Sequence, residues 1–404
     1  MTSLNSRQLA ERVRHRLVVE GPDASPAAVS AALRAEPGAA ILGEATLREL
    51  GARLTGDLAG AGPLSVLLAD PDVTDVLVNR TEVWADRGDG LRRVPLELGE
   101  PSDVRRLAQR LAATAGRRLD DACPFVDAQL GDGTRLHAVL PPVGRDGPYL
   151  SLRTFRQKAF TLDELVAGGG VDPVAARLLE AVVAARLPYL ISGGTGSGKT
   201  TVLSALLSLV PPDERLVIVE DAAELRPSHP HVVALQARMS NVEGAGAVTL
   251  RELVRQALRM RPDRLVVGEC RGAEVVDLLG ALNTGHEGGA ATLHANAPAD
   301  VPARLEALGL LGGVPRPALH AMAAAALRVV VQLERARDGA RLLSAVCVLG
   351  RDGERSVVTV VPAWRRGRGP GPGAVQLARL LAAGGVHPPN ELRPPGFTAP
   401  EGRS

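Results

Sequence analysis

The chain has 404 residues, more than one ordinary domain needs and enough for two or three. Its 47 basic and 45 acidic residues nearly cancel, and only 2% of its residues are aromatic. That excludes a surface built throughout to hold nucleic acid or lipid headgroups, and speaks against the aromatic platforms on which single strands stack.

Residues 1–60 are rich in Ala, Leu and Arg at helical spacing, so this segment is expected to be helical, with breaks at "EGPDASP" and "EPGA". Its start, "MTSLNSRQLAERVRHRLVVEG", lacks an apolar core of signal-peptide length. From 61 to 150 short β-rich runs alternate with Asp/Gly/Asn turns. A helix, "SDVRRLAQRLAATAGRRL", interrupts them, with Ser102 as its expected N-cap. This predicts a small α+β domain. Residues 151–172 read as a linker with a flexible point at Gly168–Gly170. Over 173–350, strands at 188–192, 215–219, 232–236, 264–268, 290–294 and 327–333 alternate with helices, the pattern of an α/β domain on a mostly parallel sheet. The Pro/Gly/Arg-rich stretch 351–404 is expected to be largely disordered, apart from a short helix at 374–383. The least polar run, 321–333, is too short to span a membrane and contains Arg328, so no transmembrane segment is expected. Three cysteines, Cys123, Cys270 and Cys347, match no zinc spacing and no closed disulfide set, which makes a reducing cytoplasm the expected setting.

"GGTGSGKT", Gly193–Thr200, fits G-x-x-x-x-G-K-[ST], with a buried-strand candidate before it and a helix after it. The expected nucleotide-binding residues are Gly193, Gly194, Thr195, Gly196, Ser197, Gly198, Lys199, Thr200 and Thr201. The glycines let backbone N–H groups turn inward around phosphate oxygens, and the helix N-terminus adds its positive end. Lys199 is expected on the β- and γ-phosphates of ATP, and Thr200 on Mg²⁺.

A phosphate loop needs carboxylates for the metal and the attacking water. "RLVIVEDAAEL" delivers Glu220, Asp221 and Glu224 at a strand end, and "DRLVVGECRGAE" delivers Glu269 and then Arg271. A charged strand end is by itself usually a solvated loop; two of them downstream of a phosphate loop carry more weight. "NTGHEGGAATLHANAP" adds a glycine turn with His286, then Thr292 and His294 on one strand face. These histidines could bind metal, serve as ordinary core or surface residues, or sense the γ-phosphate. Spacing leaves the three open.

Taken in order, "SGGTGSGKTT", "VIVEDAAEL", "LRMRPDRLVVGECRG" and "NTGHEGGAATLHAN" resemble the Walker A, Asp box, Walker B and His box of the type II/type IV secretion ATPase superfamily. "VTDVLVNRTEVWADRGDGL", "DGTRLHAVLPPV" and "LSLRTFRQKAFTLDELV" are similar to the N-terminal domain and linker of its Tad/Flp pilus-assembly branch. The tetra-cysteine zinc module common in other branches is absent. The resemblance implies a RecA-like P-loop ATPase domain preceded by a PAS-like α+β domain. It also implies a cytoplasmic ring hexamer docked on an inner-membrane platform protein, with ATP and Mg²⁺ as cofactors. By resemblance, Glu220 and Thr200 order the metal, Glu269 is the catalytic base, Arg271 stands beside it, and His294 meets the γ-phosphate region. Arg135, Arg153 and Arg156 match the family's arginine fingers; surface salt bridges are the alternative, and the finger role is favoured for at least one of them. The alternative function is a conjugation- or helicase-related nucleic-acid motor of the same class, with direct nucleic-acid binding disfavoured by charge and aromatic content. A non-hydrolysing regulatory binder is opposed by the acids at 220 and 269.

Overall fold

The computed structural model describes residues 60–392 apart from 89, 155–158, 239–245, 286 and 353–356, together with 26–37 and scattered positions before 60. Two units share the chain, Met1–Arg156 and Gln157–Ser404.

In the first unit, helix α1 (Pro26–Ala35) lies between the two expected helix breaks and buries Val29 and Leu33 beside Val13 and Leu50. A one-turn helix, α2 (Ser65–Leu68), leads into strands β1 (Asp75–Asn79), β2 (Glu82–Asp86) and β3 (Leu91–Val94). Helix α3 (Pro101–Thr114) follows, then β4 (Phe125–Gln129), β5 (Arg135–Val139) and β6 (Tyr149–Arg153). The six strands form one antiparallel sheet in the order β3-β2-β1-β6-β5-β4. All but the edge strand β3 alternate buried and open positions, so one face carries the core. Helix α3 closes that core with Val104, Leu107, Ala108 and Leu111, the i, i+3, i+4, i+7 stripe of an amphipathic helix. Its cap differs from the expected Ser102. Pro101 takes the first helical position, and the Glu100 N–H donates to Asp103 Oδ2 at 2.8 Å, so the helix starts two residues earlier than the serine suggests. Strand β6 sits at the centre of this sheet, so the domain expected to end at 150 continues through Arg153.

The second unit begins with α4 (Leu162–Ala167) and α5 (Pro173–Ala184). The Thr161 hydroxyl accepts from the Glu164 N–H, and Asp172 accepts from the Val174 N–H, which caps both helices. Then come β7 (Tyr189–Gly193), α6 (Lys199–Leu207), β8 (Leu216–Glu220), β9 (Val232–Gln236), α7 (Leu250–Ala257) and β10 (Arg264–Cys270). Next are α8 (Glu274–Leu282), β11 (Ala290–Leu293), α9 (Val301–Leu311), α10 (Arg316–Ala326) and β12 (Val329–Arg335). The chain closes with β13 (Arg341–Arg351), β14 (Val358–Arg365), β15 (Gly369–Pro370) and α11 (Ala374–Ala383). The sheet order is β15-β14-β13-β12-β7-β11-β10-β8-β9. Pairings from β12 through to β9 are parallel, and those from β12 out to β15 are antiparallel, making a mixed α/β sheet. Alternate residues feed two cores. Ile191 and Ile218 point to the face covered by α5, α6 and α11, and Leu190, Val217 and Val219 to the face covered by α7 to α10. No helix of the described residues is long and apolar enough to cross a membrane.

Two sequence expectations give way here. The segment read as a linker divides between the units: it starts within β6, and Leu162 and Val171 are buried in the second core. The stretch from 351, expected to be disordered apart from a helix at 374–383, has that helix as α11 and also forms β14 and β15, as far as its described residues go. Ala363, Trp364, Leu377 and Leu381 bury in the same core as Ile191. Its prolines and glycines punctuate short elements instead of preventing them. The glycine point Gly168–Gly170 is held as well. Arg366 Nη2 donates to the Gly169 and Gly170 carbonyls at 3.0 and 2.9 Å, and the Leu343 N–H donates to Gly170 O at 2.9 Å.

Candidate functional site

The parallel strands β7, β8, β10, β11 and β12 point one way, so their carboxyl ends share one edge of the sheet, where ligands bind in folds of this class. Most of the residues singled out from the sequence arrive at that edge.

Strand β7 ends on Gly193 and helix α6 opens on Lys199. A Cβ on Gly193 would stand 2.5 Å from Ser197 Oγ and 2.7 Å from Leu333 O, so the turn admits only glycine there. Gly198 precedes α6 with φ 92°, a left-handed conformation that would strain any side chain. The Ser197 hydroxyl donates to Gly194 O at 2.9 Å and is buried, while Thr195 and Gly196 form the exposed tip. Lys199 Nζ donates to Gly193 O at 3.1 Å and Gly194 O at 2.9 Å, and meets His294 Nδ1 at 3.5 Å. Burial lowers its pKa from the ordinary lysine value, with Glu269 opposing that shift. Thr200 and Thr201 lie on the first turn of α6, whose leading N–H groups have no partner within the helix.

The acid nearest Thr200 is not the one the sequence paired with it. Thr200 Oγ1 donates to Glu224 Oε2 at 3.3 Å, so Glu224, not Glu220, is the acid on that hydroxyl. Glu220 Oε1 instead accepts the N–H groups of Glu224 and Leu225 at 3.1 and 3.0 Å, bracing the loop that presents Glu224. Its side chain packs flat on Gly268, where a Cβ would stand 2.7 Å from Glu220 Cγ. Burial pushes Glu220 up to about 7, against the pull of the two backbone N–H groups. Among the described residues no cluster of three His, Cys, Asp or Glu could hold a metal ion. Thr200 and Glu224 offer one hydroxyl and one carboxylate. That small oxygen set suits Mg²⁺, which keeps its waters and takes further ligands from phosphates.

Glu269 stands where the β10–β11 register slips between Val267 and Cys270, and Thr292 Oγ1 fastens the slip by donating to Gly268 O at 2.7 Å. Its Oε2 accepts from Arg271 Nη2 at 2.6 Å, and its Oε1 lies 2.7 Å from His294 Nε2. Burial, and secondarily Lys199, lower the His294 pKa. A neutral ring turns its Nδ1 lone pair to Lys199, while its Nε2 edge lies against Glu269 Oε1, which has no hydrogen-bond partner among the described residues. Glu269, Arg271, His294 and Lys199 therefore make one connected cluster.

Other candidates lie elsewhere. Arg135 and Arg153 belong to the first unit, directly paired across β5 and β6. Arg153 Nε donates to Asp75 Oδ1 at 2.9 Å, and Arg135 Nη2 is 4.0 Å from Asp127 Oδ1. Arg156 and His286 lie outside the described residues. The sequence reading missed Gln332, which is fully buried. Ser192 Oγ donates to its Oε1 at 2.5 Å, and its Nε2 donates to Asn296 O at 3.1 Å, tying β7 and β12 to the loop after His294. A lone Gln in the run "VVVQL" was the available signal, because a polar residue on a buried strand needs a partner.

The family described as type II/IV secretion system protein matches residues 57–347. A Mycobacterium tuberculosis protein named "Putative conjugal transfer protein" is 57% identical over 333 residues, covering 80% of this chain and 94% of its own. The conjugal transfer protein TrbB of Rhizobium radiobacter is 30% identical over 293 residues, covering 71% of this chain and 87% of its own. In fold, the chain is similar to the ATPase DotB of Legionella pneumophila. That match has a TM-score of 0.50 and 20% identity, over 72% of this chain and 80% of that one.

Proposed function

The chain belongs to the type II/IV secretion system protein family, and from that premise we propose that it is an ATP-hydrolysing motor for a secretion, conjugal-transfer or pilus-assembly apparatus. The observation that carries this reading is the convergence of Lys199, His294 and Glu269 beside the glycine loop. In the proposed scheme the second unit is a RecA-like ATPase and the first a PAS-like domain. Six copies form a ring at the cytoplasmic face of an inner membrane, docked on a platform protein.

The residues divide the work. The N–H groups of Gly194–Thr201 and the Lys199 ammonium hold the triphosphate. Thr200 and Glu224 would hold Mg²⁺, whose charge would offset that of the bound phosphates. Glu269 takes the proton of the attacking water. Arg271 holds one of its oxygens, and neutral His294 stands beside the other, which has no hydrogen-bond partner among the described residues and is free to take that proton. Arg135, Arg153 and Arg156 act as fingers that a closing domain brings to the γ-phosphate. In the structure, Arg153 is tied to Asp75, a surface pair worth about 0–1 kcal/mol, so leaving it costs little.

Among branches, the upstream segments favour Tad/Flp pilus assembly, and the relatives' names favour conjugal transfer. The latter also keeps a nucleic-acid motor as the second reading. Phosphate release from MgATP tests the scheme. Wild type releases phosphate, Lys199→Ala does not, and at least one Arg→Ala change at 135, 153 or 156 slows the assembled ring. No release by wild type, or release undiminished in Lys199→Ala, contradicts it. Strong stimulation by DNA with a steep salt dependence favours the nucleic-acid motor.

A further inference from the structure

The hairpin after β12 holds an arrangement that the hydrolysis scheme does not use. Strand β12 ends on Arg335 and β13 begins on Arg341, and the two are direct partners in the antiparallel ladder, so both side chains leave the same face. Like charges set opposite each other repel, which an anion bound between them would relieve. The hairpin's own acids do not supply it. Glu334 falls on the other face by alternation, and Asp338 Oδ1 accepts the Ala340 N–H at 2.9 Å inside the turn. Among the described residues neither guanidinium is ion-paired with a carboxylate.

Both arginines instead face the glycine loop. Arg341 Nε donates to Gly196 O at 3.0 Å, and its Cδ is 3.5 Å from where a Cβ on Gly198 would stand. Arg335 Nη1 is 3.6 Å from the corresponding position on Gly196. Arg341 therefore seats the hairpin on the loop tip with its neighbour's guanidinium alongside. Gln332, on the same strand, fixes the other end of that contact against β7.

We propose that Arg335 is a further phosphate-binding residue, reaching over the loop tip to the diphosphate portion of the bound nucleotide. The inference rests on the nucleotide reading above. The loop offers neutral N–H groups and Lys199 one charge. A guanidinium adds a second charge with a fork of donors, on the side of the loop facing away from Glu269. Arg335 is exposed and takes no part in either core, so its removal leaves the fold intact.

The test is calorimetric titration of ATP and ADP, each with Mg²⁺, into the full chain. Arg335→Ala is expected to weaken both nucleotides about tenfold or more, the size of a charge-assisted hydrogen bond. Arg335→Lys recovers part of the loss, and the alanine variant shows a shallower dependence of affinity on salt. If wild type binds and Arg335→Ala binds both nucleotides equally well, this inference is overturned and the nucleotide reading stands. If wild type binds neither, both fall.

Discussion

The assignment of Glu220 as a brace for the loop, in place of a metal ligand, has a measurable consequence in Glu220→Gln. The folded-state pKa stands at about 7, raised by burial from an ordinary 4.5. A carboxyl raised in this way stabilises the fold fully below pH 4.5. That contribution is lost as pH rises through about 7, because the unfolded chain ionises first. The loss between about pH 5 and about pH 8 comes to roughly 2–3 kcal/mol for this one group. Gln keeps an amide oxygen for the N–H groups of Glu224 and Leu225 and cannot ionise. Glu220→Gln should therefore gain on wild type by roughly 2–3 kcal/mol as pH rises from about 5 to about 8. It should still bind MgATP, whereas Glu224→Gln weakens that binding. Denaturant unfolding followed by Trp364 fluorescence reads the second core, where that ring is buried, with Trp84→Phe as background to silence the first unit. A wild-type minus variant difference that stays flat across this range would refute the argument. It would mean that Glu220 ionises like an exposed acid and is available as a ligand.

Other outcomes follow from the same geometry. Arg366→Ala removes the donor shared by Gly169, Gly170 and Leu343 carbonyls and should cost the second unit about 1–3 kcal/mol, read by the same unfolding assay; no loss would mean that the C-terminal stretch does not hold the segment after α4. Because burial and Lys199 hold His294 below its ordinary pKa of 6.5, turnover should not fall through a histidine titration at or above pH 6.5. A pH–rate midpoint there that disappears in His294→Gln contradicts the neutral tautomer.

The motif residues were legible because backbone chemistry dictates them. A glycine turn between an apolar strand and a helix carries its meaning in the sequence, and acids past β-branched runs gain theirs by following it. Strands at 216–220, 232–236 and 264–270 were read close to their bounds because each is a short, strongly apolar or β-branched run. Three things were hidden. The division of labour between Glu220 and Glu224 depends on which carboxyl the Gly268 surface buries, a tertiary fact. Strands β14 and β15 were lost because Gly and Pro counts from 351 suggested disorder, although Ala363 and Trp364 supplied apolar surface that buries in the second unit's core. Arg335, Arg341 and Arg366 look like solvated hairpin charges until the sheet order sets β12 beside β7 and brings them to the loops they touch.

The central claim is that Glu269 draws the proton from water at a nucleotide held by the Lys199 loop. Glu269→Gln, which keeps the size and hydrogen-bonding reach of the side chain, separates binding from chemistry in a single comparison of MgATP affinity with phosphate release. The account predicts affinity within a few-fold of wild type and turnover lower by about a hundredfold or more. Turnover at the wild-type rate with Gln at 269 would contradict it.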